Sequence, residues 1–403
     1  MKITKIETVR VGAYPNLLWV QLVTDDGTTG LGETFIGPEA VEAYLHETAA
    51  PMLLGSDASE IKATSRRLND LYVGFSGSGV ERRGNSAIDI ALWDILGKTT
   101  DQPIFNLLGG RSRSEIQTYN TCAGPGYVRQ KYGRTSPQSW SVAAGSGGYE
   151  DLDAFLNRPA ALAESLLDEG ISAMKIWPFD EAAIATGGTH ISAASMKLAL
   201  TPFREIRRAA GDRMTIMAEM HALWLPQAAL QIADALQEYD IFWFEDPIKM
   251  RSMQILKDFT DHCPLAVSAS ETLGGVEIFA EMIGRRATNI VMVDLGFVGG
   301  ITAGRQISDM SEAAQLPITL HDCTGPVVYA ASVHLSLHAP TAIFQESVRA
   351  FYSGWYREVV DALPIIRDGM IRPSEGPGLG LALRKDIFSR PDVSVRTSSL
   401  GDL

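Results

Sequence analysis

The chain changes rhythm twice along its length. Residues 3–9 and 18–23 alternate apolar and polar side chains, Asp25-Asp26-Gly27 marks a turn, and Gly30-Leu31-Gly32-Glu33 resumes the extended pattern. Successive side chains on a strand point to opposite faces, so this stretch predicts a three-stranded antiparallel meander. From Pro38 to about Gly97 the apolar positions take helical spacing, through Val41, Tyr44 and Leu45, then Ile61, Leu68, Leu71 and Tyr72, and residues 87–96 read as an amphipathic helix. Strands followed by helices, without alternation, predict an α+β unit over residues 1–114. After it, short apolar runs alternate with helical stretches such as 161–169 and 227–236. Strands are predicted at 117–121, 173–177, 215–220, 241–246, 265–270, 289–294, 318–322 and 342–347. Eight strands in this rhythm predict a (β/α)8-type barrel over residues 115–351. Residues 352–403 turn irregular around Pro373, Gly376, Pro377, Gly378 and Gly380, and are expected to pack back on the first unit and complete it.

The strand positions give the acidic residues a meaning that they lack singly. Glu219, Glu245 and Glu271 each close a short apolar run, and they follow one another at one constant interval. In a parallel barrel, strand C-terminal ends share the face where active sites are built. One strand ending in a solvated glutamate is commonplace, but three at one period predict convergence. Convergent carboxylates repel unless a cation sits between them, and hard oxygen ligands favour Mg²⁺. Two residues beyond Glu219 stands His221, which period two puts on the same side of the strand and within reach of a leaving group. Asp294 and His321 end neighbouring strands, where a carboxylate fixes the tautomer of an imidazole and raises its basicity, as a general base needs. Glu346 closes the last strand and is expected either to hydrogen-bond a developing enolate oxygen or to orient the substrate. Lys175 closes the second, where pairing with a substrate carboxylate and a peripheral salt bridge are both open. His46, His190, His262, His334 and His338 have no visible partner and read as structural, and Gly296, Gly299 and Gly300 read as a tight βα turn rather than a phosphate loop.

Composition narrows the picture further. With 403 residues, 45% of them apolar and 21% charged, the chain can bury a sizeable core, and a net charge of −13 argues against a nucleic-acid or anionic-membrane surface. Cys122, Cys263 and Cys323 form neither a disulfide framework nor a metal-ligand spacing, and no run reaches the length of a membrane span, so a soluble cytoplasmic protein is expected. Two segments read as loops able to cover a site: residues 72–79, rich in glycine and serine, and residues 123–151, whose length and lack of periodicity suggest a lid.

Taken together, these motifs resemble the enolase superfamily, in its mandelate racemase branch, over nearly the whole length. Glu219, Glu245 and Glu271 match the metal-ligand positions. Asp294 with Val298-Gly299-Gly300-Ile301 and His321 match the branch's Asp–His dyad, and Glu346 matches its carboxylic acid on the last strand. The resemblance implies a modified, (β/α)7β barrel with an α+β capping domain. It further implies one Mg²⁺ per active site and abstraction of the proton α to a carboxylate to give a metal-stabilised enediolate. Lys175-Ile176-Trp177 lacks the second lysine that racemases use as a base, whereas Glu219-Met220-His221 is similar to the acid-bearing strand of galactonate and mannonate dehydratases, with Glu219 where those enzymes usually have Asp. The implied activity is dehydration of a sugar acid, aldonate or aldarate, to a 2-keto-3-deoxy acid. The implied roles are His321 as base oriented by Asp294, His221 as acid at the 3-hydroxyl, and Glu346 assisting the metal in stabilising the enediolate, while both readings of Lys175 stay open. An epimerase, racemase or cycloisomerase on a related carboxylate is the alternative within the fold, and a non-catalytic metal-binding homologue is the alternative from another functional class. A glycosidase using the glutamates as its acids would need two opposed carboxylates without a metal. Assembly into a homo-oligomer is implied by analogy only.

Overall fold

The computed structural model describes residues 1–70, 78–127 and 149–402. The first strands are β1 (Ile3–Val11), β2 (Leu17–Thr24) and β3 (Thr29–Phe35), paired antiparallel in sequence order. The helix Val80–Thr100 lies directly on β3. Its approach is so close that a Cβ on Gly32 would come within 1.8 Å of the Ala87 carbonyl oxygen, so no larger residue fits there. This packing seals the apolar face of the meander and forms the capping domain.

Eight parallel strands follow: β4 (Ile116–Thr121), β5 (Ala173–Ile176), β6 (Thr215–Glu219), β7 (Ile241–Glu245), β8 (Val267–Ala269), β9 (Ile290–Val293), β10 (Ile318–Leu320) and β11 (Ala342–Ser347). Each pairs with the next, and β11 returns to β4 with Glu346 opposite Tyr119, which closes the barrel. Tyr119, Met217, Trp243, Met292 and Phe344 fill the interior, with the Tyr119 and Trp243 rings edge-on at 5.2 Å. The barrel is thus a packed core whose chemistry is confined to its ends. Six of the eight strands are shorter than the expected runs, which continue into unpaired turns, while β4 begins one residue earlier and β11 has the expected bounds.

The meander gains a fourth strand that the local pattern does not reveal. Beyond the barrel, β12 (Ile365–Arg367) and β13 (Met370–Arg372) form a hairpin whose second strand pairs antiparallel with β4, Ile371 opposite Ile116. Then β14 (Val393–Ser399) pairs with β1, Lys5 opposite Ser399, giving the order β14-β1-β2-β3. The short strands of the hairpin are flanked by turns and lack the alternation that would announce them.

Carboxylates from the cap plug the exposed N–H ends of two barrel helices, which is what sets the cap on the barrel. Glu33 takes hydrogen bonds from Trp19 Nε1 (2.6 Å) and from the amides of Val327 (3.1 Å) and Val328 (3.0 Å), at the start of the helix Pro326–His338. Asp89 accepts from the amide of Thr302 at 2.9 Å, in the first turn of Gly300–Ala313. Burial pushes the Glu33 carboxyl up to about 8 and that of Asp89 up to about 7, against the pull of those N–H donors. Gly300 has φ +80° and would place a Cβ 2.4 Å from Asp89 Oδ1, so glycine is required at this joint.

His334 of the same helix is fully buried, stacked on Phe105 at 5.5 Å, with Nε2 3.4 Å from the Leu379 carbonyl oxygen. Burial lowers its imidazole to about 4. Between about pH 6.5 and 4 the unfolded chain binds a proton that the folded chain refuses, so this group's contribution to stability falls as the pH falls. The wild type is therefore expected to lose about 2 kcal/mol more than His334→Phe between pH 7 and pH 5. Urea unfolding at the two pH values measures this, and equal losses would refute it. Among the described residues no helix is long and apolar enough to cross a membrane.

Candidate active site

The acidic strand ends converge as the repeat predicts. Glu219 and Glu245 are the last residues of β6 and β7 and stand opposite each other in register, and Glu271 follows β8. One carboxylate oxygen from each lies within 4.8 Å of the other two. Trp243 Nε1 donates to Glu245 Oε2 at 2.7 Å, and the His221 amide donates to Glu219 Oε1 at 2.5 Å. Glu219 Oε2 and Glu271 Oε2 are buried and accept no hydrogen bond.

Lys175 sits among these groups, buried, on β5. Its Nζ is 3.3 Å from Glu219 Oε2 and 3.0 Å from Glu346 Oε1, and it ion-pairs with Glu245. Of the two placements open for Lys175, the peripheral one does not hold. Burial alone would lower this amine, but Glu245 and Glu346 hold it well above its usual range. Burial still raises the carboxyls of Glu219, Glu245 and Glu271, so one lysine leaves the cluster short of positive charge. Three convergent hard oxygen donors, two with buried oxygens that have charged neighbours but accept no hydrogen bond, fit a divalent cation such as Mg²⁺.

His321 directly follows β10. Its Nδ1 is 2.6 Å from Asp294 Oδ2, while Asp294 Oδ1 accepts the Gly296 amide at 2.6 Å and caps the short helix Leu295–Val298. The cap fixes the carboxylate, and the carboxylate fixes the ring. Nε2 then points to the cluster, 3.4 Å from Glu271 Oε2 and 3.9 Å from Glu346 Oε2. Burial would lower this imidazole, but Glu271 and Glu346 raise it well above its usual value. Glu346 accepts the Asp322 amide at 3.0 Å and the Thr121 hydroxyl. Burial raises the Glu346 carboxyl, but Lys175 and His321 outweigh it and hold the group below the usual range, as a hydrogen-bond acceptor.

His221 departs from the expected geometry. The strand ends at Glu219, the Ala222 amide turns to bond Asp246 O at 2.8 Å, and His221 has φ 48°, so it lies in a left-handed turn rather than one strand layer above Glu219. It nevertheless reaches the same cavity. Its Nδ1 lies 2.7 Å from Asp180 Oδ2, Tyr127 Oη is 3.4 Å from Nε2, and the edge of Trp177 packs on the ring at 5.5 Å. Burial lowers the His221 imidazole, yet Asp180, then Glu219, lift it to about 9.

Lys175, Glu219, His221, Glu271, His321 and Glu346 line one cavity of about 200 Å³, with Glu245 tucked beside it under Lys175. Sequence reasoning missed Thr121, Asp180 and Tyr127. Thr121 ends β4 and was available from the same strand-end rule that found the glutamates. Asp180 opens the helix Asp180–Thr186 behind a βα turn, where no periodicity points to it. Much of the two expected covering loops, residues 71–77 and 128–148, lies outside the described residues.

Two family models match the chain: "Enolase C-terminal domain-like" over residues 158–387, and "Mandelate racemase / muconate lactonizing enzyme, N-terminal domain" over residues 6–109. Among solved structures, an enolase of the mandelate racemase subgroup from Agrobacterium tumefaciens is 48% identical, with a TM-score of 0.87 and complete coverage of both chains. The D-galactonate dehydratase family member ManD of Chromohalobacter salexigens is 26% identical, over 97% of this chain and 95% of its own. A D-galactonate dehydratase of Ralstonia pickettii is 28% identical, over 94% of this chain and 92% of its own. With both domains matched and the acidic strand ends converging in a capped barrel, the chain belongs to the enolase superfamily, in its mandelate racemase subgroup.

Proposed function

We propose that this protein is a Mg²⁺-dependent dehydratase of a sugar acid, a hydro-lyase that forms a 2-keto-3-deoxy acid. One observation carries the reading: two histidines, each bonded through Nδ1 to a carboxylate, face one cavity with the acidic cluster between them. They follow the third and seventh barrel strands, four apart in a ring of eight, and therefore stand on opposite sides of the site. The names of the relatives support a dehydratase role.

Mg²⁺ held by Glu219, Glu245 and Glu271 would supply positive charge to the substrate carboxylate and to the negative charge that grows on it when the α-proton leaves. Lys175 pairs with the same carboxylate from below. His321 takes the C2 proton on Nε2 while Asp294 holds its Nδ1–H. Glu346, held by Thr121 and the Asp322 amide, orients the substrate rather than donating a proton. His221, protonated near neutral pH beside Asp180, delivers a proton to the departing 3-hydroxyl from the opposite side. The hydrogen and the hydroxyl then leave from opposite faces, and the enol tautomerises to the keto acid.

The same opposed pair favours one second reading. A protonated His221 could return its proton to C2 instead, which is epimerisation. A panel of C4 to C6 aldonates and aldarates in D₂O with Mg²⁺ separates the two. Keto-acid formation supports dehydration, C2 deuterium without keto acid supports epimerisation, and neither, with Mg²⁺ bound, defeats both.

Asp180 gives a sharper check. Asp180→Asn leaves the base dyad intact and removes the anchor of His221. Keto-acid formation is expected to fall ~100-fold while C2 exchange persists within a few-fold. Loss of both together, read by NMR in D₂O, would contradict the separation of roles.

A further inference from the structure

The charged side chains that line the cavity all come from the barrel. The lining residues from the cap are apolar, Phe35 and Ile36 at the end of β3, and Phe297 of the short helix Leu295–Val298 lines the same cavity. The Thr34 hydroxyl donates to the Gly296 carbonyl at 3.2 Å, which fastens the end of β3 beside Phe297. Among the described lining residues the cationic side chains are Lys175, His221 and His321, all engaged with carboxylates.

Ile36 adds an independent observation. Its φ is 68°, a left-handed conformation that a β-branched residue rarely adopts. The Ile36 amide donates to the Asn16 carbonyl at 2.8 Å, and Gly37 continues left-handed at φ 66° into the next helix. Asparagine or glycine would occupy this position with less strain. Strain of this kind, held at the wall of a site by the surrounding structure, calls for a reason in function.

We propose that the substrate carries an apolar end: the carbon farthest from its carboxylate is a methyl, seated against Ile36 and Phe297, where other sugar acids have a hydroxymethyl or a second carboxylate. Ile36 sets this preference. The inference rests on the dehydratase reading and narrows it to terminally deoxygenated aldonates. A terminal hydroxyl or a second carboxylate would lose water for apolar side chains at this wall.

The test uses hexonates of galacto, manno, gluco and talo configuration, each beside its 6-deoxy counterpart. Affinities are measured by calorimetry on the Mg²⁺-loaded His321→Asn protein, and turnover on the wild type. The deoxy member of at least one pair is expected to bind, and to be turned over, ~10- to 100-fold better. Ile36→Asn, which suits the same backbone, should bring that ratio close to one, and Ile36→Gly should do the same if the asparagine variant fails to fold. Equal or reversed preference within the pairs that are converted overturns the inference and leaves the dehydratase reading standing. So does an unchanged ratio in both Ile36 variants. Preferential binding of the deoxy member with no keto acid formed supports the apolar seat and defeats the dehydratase reading. Failure of every acid to bind overturns both.

Discussion

Replacing His321 by asparagine is expected to remove C2 deuterium exchange and keto-acid formation together, each by ~10²- to 10⁴-fold, the range over which a positioned acid or base contributes. Both readouts share the first proton transfer, which the proposed function assigns to His321. His321 presents Nε2 to the cluster because Asp294 occupies Nδ1 at 2.6 Å, and Asp294 is itself pinned by the Gly296 amide. Asparagine keeps an N–H for Asp294 but has no basic nitrogen. The opposed histidine is bonded through Nδ1 to Asp180 and follows a strand four places away around the barrel, so it meets the substrate from the other side. Exchange surviving at the wild-type rate in His321→Asn would transfer the base to another residue. Silence of exchange in that variant, with Asp180→Asn still exchanging, would give the two histidines separate tasks.

The second large effect concerns stability. Lys175→Met keeps the length of the side chain and removes its charge from among Glu219, Glu245 and Glu346, all buried. Breaking a buried ion pair by deleting one partner leaves an uncompensated charge and typically costs about 3–5 kcal/mol. In chelator, the variant is expected to unfold at lower denaturant by that margin. The deficit should shrink on acidification, because the stranded carboxyls can then take up protons. It should also shrink with added Mg²⁺, which would bind the same oxygens more tightly once their lysine is gone. Unfolding curves that match the wild type in chelator would mean that Lys175 contributes nothing to balancing the cluster.

What the sequence disclosed followed from repetition. The strand–helix period turned three distant glutamates into neighbours, and the same rule brought Asp294 and His321 together at 2.6 Å. Lys175 was found by the strand-end rule as well, but its burial was not, because burial depends on side chains from other strands. The position of His221 was legible and its backbone was not, since a left-handed turn after β6 leaves no mark on an apolar–polar pattern. Asp180 escaped for a related reason: it meets His221 across a βα turn, and nothing in its own neighbourhood is periodic. The fourth strand of the cap was hidden by distance, because β14 reads as a weak, exposed strand until β1 is placed beside it.

That last pairing also governs the order in which the molecule can be assembled. On a ribosome, residues 3–11 emerge early and residues 393–399 only after the whole barrel has been made, yet they share one ladder. Until then the nascent meander carries β1 as an open edge, of the kind that recruits foreign strands. The strand that finishes the cap sheet is thus available only once the whole chain of the barrel has been synthesised.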